Sequence, residues 1–162
     1  MSTRHRPDLI IRNARLIDGT GGPAYPGSLA VKDDRITAMG YLDGLSASVE
    51  IDAGGKALCP GFIDVHTHDD RALLANPLMT NKTSQGVTTV VAGNCGVSLA
   101  PLTIDRRPPS PLDLICEEGG GFFADFGGYL AALDQEPPAV NALCQVGHSS
   151  LRVVAMDSLE RP

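Results

Sequence analysis

The stretch "PGFIDVHTHDD", Pro60 to Asp70, decides how the chain is read. A sequence with only four histidines places two of them, His66 and His68, one residue apart, after a short apolar run and directly before two carboxylates. Read as a strand, it puts Phe62, Asp64, His66 and His68 on one face and Ile63, Val65 and Thr67 on the other, because successive strand side chains alternate. The two imidazoles then converge. In parallel β/α folds, ligands gather at the C-terminal ends of strands. Neutral imidazoles at this spacing chelate a divalent metal, with zinc the commonest choice for such donors. Asp64 lies one layer below the pair and needs polar partners there, so it is expected to support the site. Asp69 and Asp70 could orient the imidazoles, but they read equally well as loop or cap carboxylates.

Outward from this stretch the texture alternates between strand and helix signals, the pattern of a parallel sheet with crossover helices. "VTTVVAG" and "AVNALCQV" read as the second and third strands. Asn76-Pro77 resembles the start of a helix that Gly86 would end, and a second helix is expected from Phe126 with Asp125 as its cap. "LRVVAMDSLE" reads as the start of another. Residues 98–128, broken by Pro and Gly, are expected to form a lid, a binding loop or a disordered segment. Before Cys59 the sequence reads as short strands and turns, too few to close a sandwich alone. The expected organisation is therefore a β region over residues 1–58 and β/α units over 59–162.

Counting by twos from Val87 through Val91 and Gly93 reaches Cys95 at the end of the second strand. A thiolate there would be a strong third metal ligand, and an inert core thiol is the alternative. By the same parity His148 follows Cys144 and Val146 and could line a substrate pocket; otherwise it merely neighbours Ser149 or Ser150 capping the next helix. Arg106 and Arg107 could attract a substrate carboxylate or simply be solvated. The other cysteines, Cys59, Cys116 and Cys144, have no C-x-x-C spacing and read as free thiols.

The 162 residues are 43% hydrophobic with a net charge of -6, a composition suited to a folded soluble protein. The acidic balance argues against nucleic-acid or anionic-membrane partners and leaves small neutral or anionic substrates. No run reads as a membrane span or a secretory leader, so a cytoplasmic location is expected.

"PGFIDVHTHDD" followed by "SQGVTTVVAGNCGVSLAPL" resembles the amidohydrolase superfamily, and within it the N-acyl-D-amino-acid deacylases, the D-aminoacylases. The "GNCG" segment narrows the resemblance, which runs from "DLIIRNARLIDGTG" to "VGHSSLR". It implies an α/β fold, a TIM-like (β/α) barrel with a small β-sandwich built from both chain ends. This chain would hold about the first three β/α units, preceded by part of the sandwich. It also implies zinc-dependent hydrolysis of the linear amide of a small N-acyl-D-amino acid, giving a carboxylate and a D-amino acid. By resemblance His66 and His68 are the metal-binding pair and Cys95 the cysteine ligand. Two later histidines and a late aspartate, the general base, are not in the sequence, which therefore reads as an N-terminal portion; Asp69 and Asp70 do not take that role. The alternatives are a catalytically inert fragment, or a cyclic-amide hydrolase of the hydantoinase or dihydroorotase kind, which Cys95 disfavours.

Overall fold

The computed structural model describes residues 6–104, 107–116 and 121–160. The chain divides into two compact units, residues 1–60 and 61–162.

The first unit is a five-stranded mixed sheet. β1 (Leu9–Leu16) pairs antiparallel with β2 (Tyr25–Lys32), which pairs antiparallel with β3 (Arg35–Gly40). On the other edge of β1, β4 (Val49–Asp52) and β5 (Ala57–Leu58) both run parallel to it. The expected turn at Asp33-Asp34 is present. Asp33 takes a left-handed φ of 53°, and its N–H donates to Asp8 Oδ2 at 2.8 Å. Lys32 Nζ meets the other oxygen of Asp8 at 2.8 Å. Between Ile11 and Ala14, β1 carries an extra residue against β2, and Asn13 there has φ 53°, the geometry of a β-bulge. One face buries Ile10, Ala30 and Ala47. A groove of about 210 Å³ is lined by residues including Leu16, Leu29, Ile36, Met39 and Leu58.

The second unit is built on a parallel three-stranded sheet in the order β6 (Phe62–Thr67), β7 (Val87–Ala92), β8 (Asn141–Cys144). Its strands correspond to the three expected ones. A single turn, α1 (Ala72–Ala75), ends before Asn76, and the helix expected between Asn76 and Gly86 is instead one single turn, α2 (Thr80–Thr83). Asn76 closes the first rather than opening a helix, with φ -139° and ψ 73°. Pro77 is the reason, because proline pushes the residue before it out of the α region. Gly86 ends the second segment with φ 80°, as a C-terminal glycine does. The helix α3 (Phe126–Gln135) begins as expected, with the Asp125 carboxylate accepting from Gly128 N–H at 2.8 Å. α4 (His148–Ala155) starts three residues earlier than its apolar pattern suggests, and no side chain caps it.

The largest departure lies between β7 and α3. Val97, Leu99, Ala100, Leu102, Leu112 and Ile115 are all buried, in one core with Leu73, Val90, Tyr129 and Leu133. A segment that Pro and Gly deny regular structure thus fills the layer between sheet and helix. It is held by backbone bonds, Leu102 N–H to Phe123 O and Phe123 N–H to Leu99 O, at 2.8 and 2.9 Å. No helix among the described residues is long and apolar enough to cross a membrane.

Candidate metal centre

His66, His68 and Cys95 each offer a ligand atom, and these atoms all lie within 4.8 Å of one another. The two imidazole rings stand edge to face, 6.3 Å apart between centroids. Zinc–nitrogen and zinc–sulfur bonds of about 2.0–2.3 Å mean that ligand atoms no farther apart than this can reach one ion with small side-chain adjustments. Two imidazoles and a thiol are also a donor set chosen by borderline and soft metals. The residues present therefore fit a zinc-like cation.

The route to this convergence differs from simple alternation. β6 is bulged against β7, since Asp64 pairs with Val90 but Thr67 with Ala92, three residues spanned against two. A bulge re-aims side chains and interrupts the two-residue period, so parity alone does not fix the direction of His66. For Cys95 the reason is a turn. β7 ends at Ala92, and Gly93 follows with φ 83°, where an added Cβ would meet Gln145 O at 2.1 Å. Only glycine takes this left-handed, crowded position easily, and it brings the Cys95 loop back toward β6.

Asn94, which sequence reading passed over, fastens that loop: its Nδ2 donates to Val65 O at 2.8 Å, one residue before His66. Its place in the "GNCG" segment was the available signal. Ser98 and Ser150 fasten the other side. Ser98 N–H donates to Ser150 Oγ, and Ser150 Oγ–H to Ser98 O, each at 2.9 Å. Both serines are buried, and Ser150, inside the first turn of α4, ties that helix to the Ser98 loop and is not its cap. Gly147 packs so close to Gly96 that a Cβ would lie 2.5 Å from its carbonyl oxygen.

The carboxylates around the pair are not free. Asp64 Oδ2 meets Lys82 Nζ at 2.7 Å, and Asp64 Oδ1 accepts from His66 N–H at 3.3 Å. The Lys82 hydrogen bond, followed by that from His66 N–H, outweighs partial burial and lowers the Asp64 pKa. Asp69 Oδ2 lies 2.9 Å from the same ammonium. Burial pulls the Lys82 pKa down, but pairing with Asp64 and Asp69 more than offsets it and the net shift is upward. Asp70 is 1% exposed and its pKa is pushed up to about 6, chiefly by burial, against backbone N–H bonds from Asp70 and Leu99. Its carbonyl oxygen accepts from buried Tyr129 Oη at 2.9 Å.

The remaining sequence candidates fall outside the cluster. His148 is the exposed first residue of α4 and lines a groove with Ser110, Pro111 and Arg152. Arg107 sits 3.9 Å from Asp113, largely in solvent, and Arg106 lies outside the described residues. Cys59 is exposed, Cys116 buried and Cys144 half-buried, and none of the three is joined in a disulfide among the described residues. Beside His68, a groove of about 400 Å³ is lined by residues that include Arg71, Asn76, Asp113 and Cys116.

Residues 49–158 match the model of the Amidohydrolase family. A D-aminoacylase of Alcaligenes xylosoxydans xylosoxydans is 51% identical over 95% of this chain, which spans 32% of that relative. A D-aminoacylase crystal structure superposes with a TM-score of 0.90 and 54% identity, covering 96% of this chain and 32% of its own. The N-acyl-D-glutamate deacylase of Bordetella bronchiseptica, solved with zinc and a phosphonate mimic of the tetrahedral intermediate, superposes at 0.86 with 45% identity, over 94% of this chain and 32% of its own. The chain thus spans about a third of the length of these relatives.

Proposed function

Since this chain belongs to the amidohydrolase family, we propose that it is the portion of an N-acyl-D-amino-acid deacylase that supplies His66, His68 and Cys95 to a zinc centre. The complete enzyme would hydrolyse the linear amide of the acylated amino acid to a carboxylate and a D-amino acid. The observation that carries the reading is the approach of two imidazoles and a thiol to within 4.8 Å from two strands of one sheet. The names of the relatives support the substrate class, and their TM-scores support placing β6, β7 and β8 as the first three strands of a TIM-like barrel, with the first unit as part of a β-sandwich.

Zinc held there supplies a Lewis acid for the acyl carbonyl and lowers the pKa of a water nucleophile to near 7. The chain's own residues prepare for it. His66 and His68 present imidazole nitrogens, Cys95 offers sulfur, and Asn94 pins the cysteine loop to β6. The groove beside His68 gives an acyl group room, and His148 is assigned to substrate contact. Asp69 is engaged with Lys82 and Asp70 is enclosed, so neither is assigned as the general base.

Metal analysis after gel filtration tests the reading, with near-stoichiometric zinc expected in the 162-residue chain. Chain that elutes folded but free of zinc, after loading with excess metal, would overturn it. Amidase activity is expected of the complete enzyme on N-acetyl-D-amino acids and not on their L-enantiomers.

A further inference from the structure

Lys82 has no part in the reading so far, yet it is one of the most constrained charges in the second unit. Its side chain is 17% exposed, and Nζ lies 2.7 Å from Asp64 Oδ2, 2.9 Å from Asp69 Oδ2 and 3.1 Å from Thr67 Oγ1. An ammonium has three protons; here it donates to two oxygen acceptors, Asp64 Oδ2 and Thr67 Oγ1, and holds Asp69 Oδ2 as an ion pair without a hydrogen bond. Those residues bracket the histidine pair: Asp64 precedes His66 by two residues, Thr67 stands between the histidines, and Asp69 follows His68. They also bracket the bulge between Asp64 and Thr67.

A bulge leaves a residue without a ladder partner, so the local backbone needs another constraint to hold one conformation. Asp64 transmits that constraint directly, because the carboxylate that accepts the Lys82 hydrogen bond also accepts from His66 N–H. The lysine itself comes from α2, a single turn seated by the left-handed, fully buried Met79. We infer that Lys82 is a positioning residue for the metal centre: by clamping Asp64, Thr67 and Asp69 it sets the bulged backbone from which His66 and His68 reach one cation. This rests on the metal reading above. Lys82 donates to oxygens only and is not itself a ligand.

The test is metal affinity and the visible spectrum of the cobalt(II)-loaded full chain, compared for wild type, Lys82→Met and the triple variant Lys82→Met/Asp64→Asn/Asp69→Asn. The triple variant removes the clamp without leaving two carboxylates unpaired, in case the single variant does not fold. Asp125→Ala, which loses the α3 cap and none of the clamp contacts, serves as a destabilised control. Loss of a group that orients ligands weakens binding by about 10–100-fold. That loss is expected in the clamp variants, with altered thiolate-to-cobalt absorption at native-like circular dichroism, and not in the control. A folded clamp variant with wild-type affinity and spectrum overturns the inference alone. Equal loss in the control also overturns it, by showing that stability and not positioning governs binding. Wild-type chain that takes up no cobalt overturns the metal reading and the inference together.

Discussion

Strand β6 and the segment from Val97 to Cys116 reverse the usual relation between local pattern and burial. In β6, Phe62, Ile63 and Val65 are 58–61% exposed although they are large apolar side chains on a strand, while Leu99, Ala100 and Leu112, among Pro101, Pro108, Pro109 and Pro111, are completely buried. Among the described residues β6 is hydrogen-bonded to one neighbouring strand, β7, and its apolar side chains stay largely exposed. The proline-rich segment lies under α3 and against β7, where Tyr129, Leu133 and Val90 enclose it. What is buried depends on what covers it, and regularity of the backbone is a separate matter.

Substitutions sharpen this contrast. Leu99→Ala is expected to cost the most, about 2–5 kcal/mol, since it empties a filled core position; denaturant unfolding measures it. Next comes Tyr129→Phe, expected to cost about 1–3 kcal/mol because it leaves the buried Asp70 carbonyl without its donor, again read from the unfolding midpoint. Ile63→Ala on β6 should change stability by less than about 0.5 kcal/mol. A loss at Ile63 equal to that at Leu99 would show that β6 is covered, for instance by self-association, and the contrast would fail.

The smallest expected effect concerns acid. In the first unit the hydrogen bonds from Lys32 to Asp8, from Arg12 to Glu50 and from Gly54 N–H to Asp52 lower those carboxyl pKa values. Groups with lowered folded pKa values contribute stability at pH above their unfolded values and lose it as pH falls through the folded ones. Amide protection in β1 and β2, corrected for the intrinsic exchange rate at each pH, should therefore fall below about pH 4, and Asp8→Asn should flatten that dependence slightly. An unchanged acid limb in Asp8→Asn would show that Asp8, exposed as it is, adds nothing.

Much of the candidate site was legible from residue spacing. His66, His68 and Cys95 were picked out from a two-residue period and from the strand ends, and they do come together. The stated period was the wrong reason for part of it, because the bulge in β6 and the turn at Gly93 redirect the side chains. The "GNCG" segment marks Asn94 without naming Val65 as its partner, and a lysine eighteen residues from an aspartate carries no local signal of pairing. The break between α1 and α2 was readable in principle from Pro77, had its effect on Asn76 been weighed above its likeness to a cap.

By itself the sequence determined the strands, the turns at Asp33 and Gly86, the Asp125 cap and which three candidate side chains end near one another, because each depends on the preferences of a few neighbouring residues. Tertiary structure alone decided that the irregular segment would be core, that β6 would stay exposed, and that Lys82 would meet Asp64 and Asp69. Burial and ion pairing belong to groups distant along the chain, and their free energy exists only once packing has brought those groups together and removed the water between them.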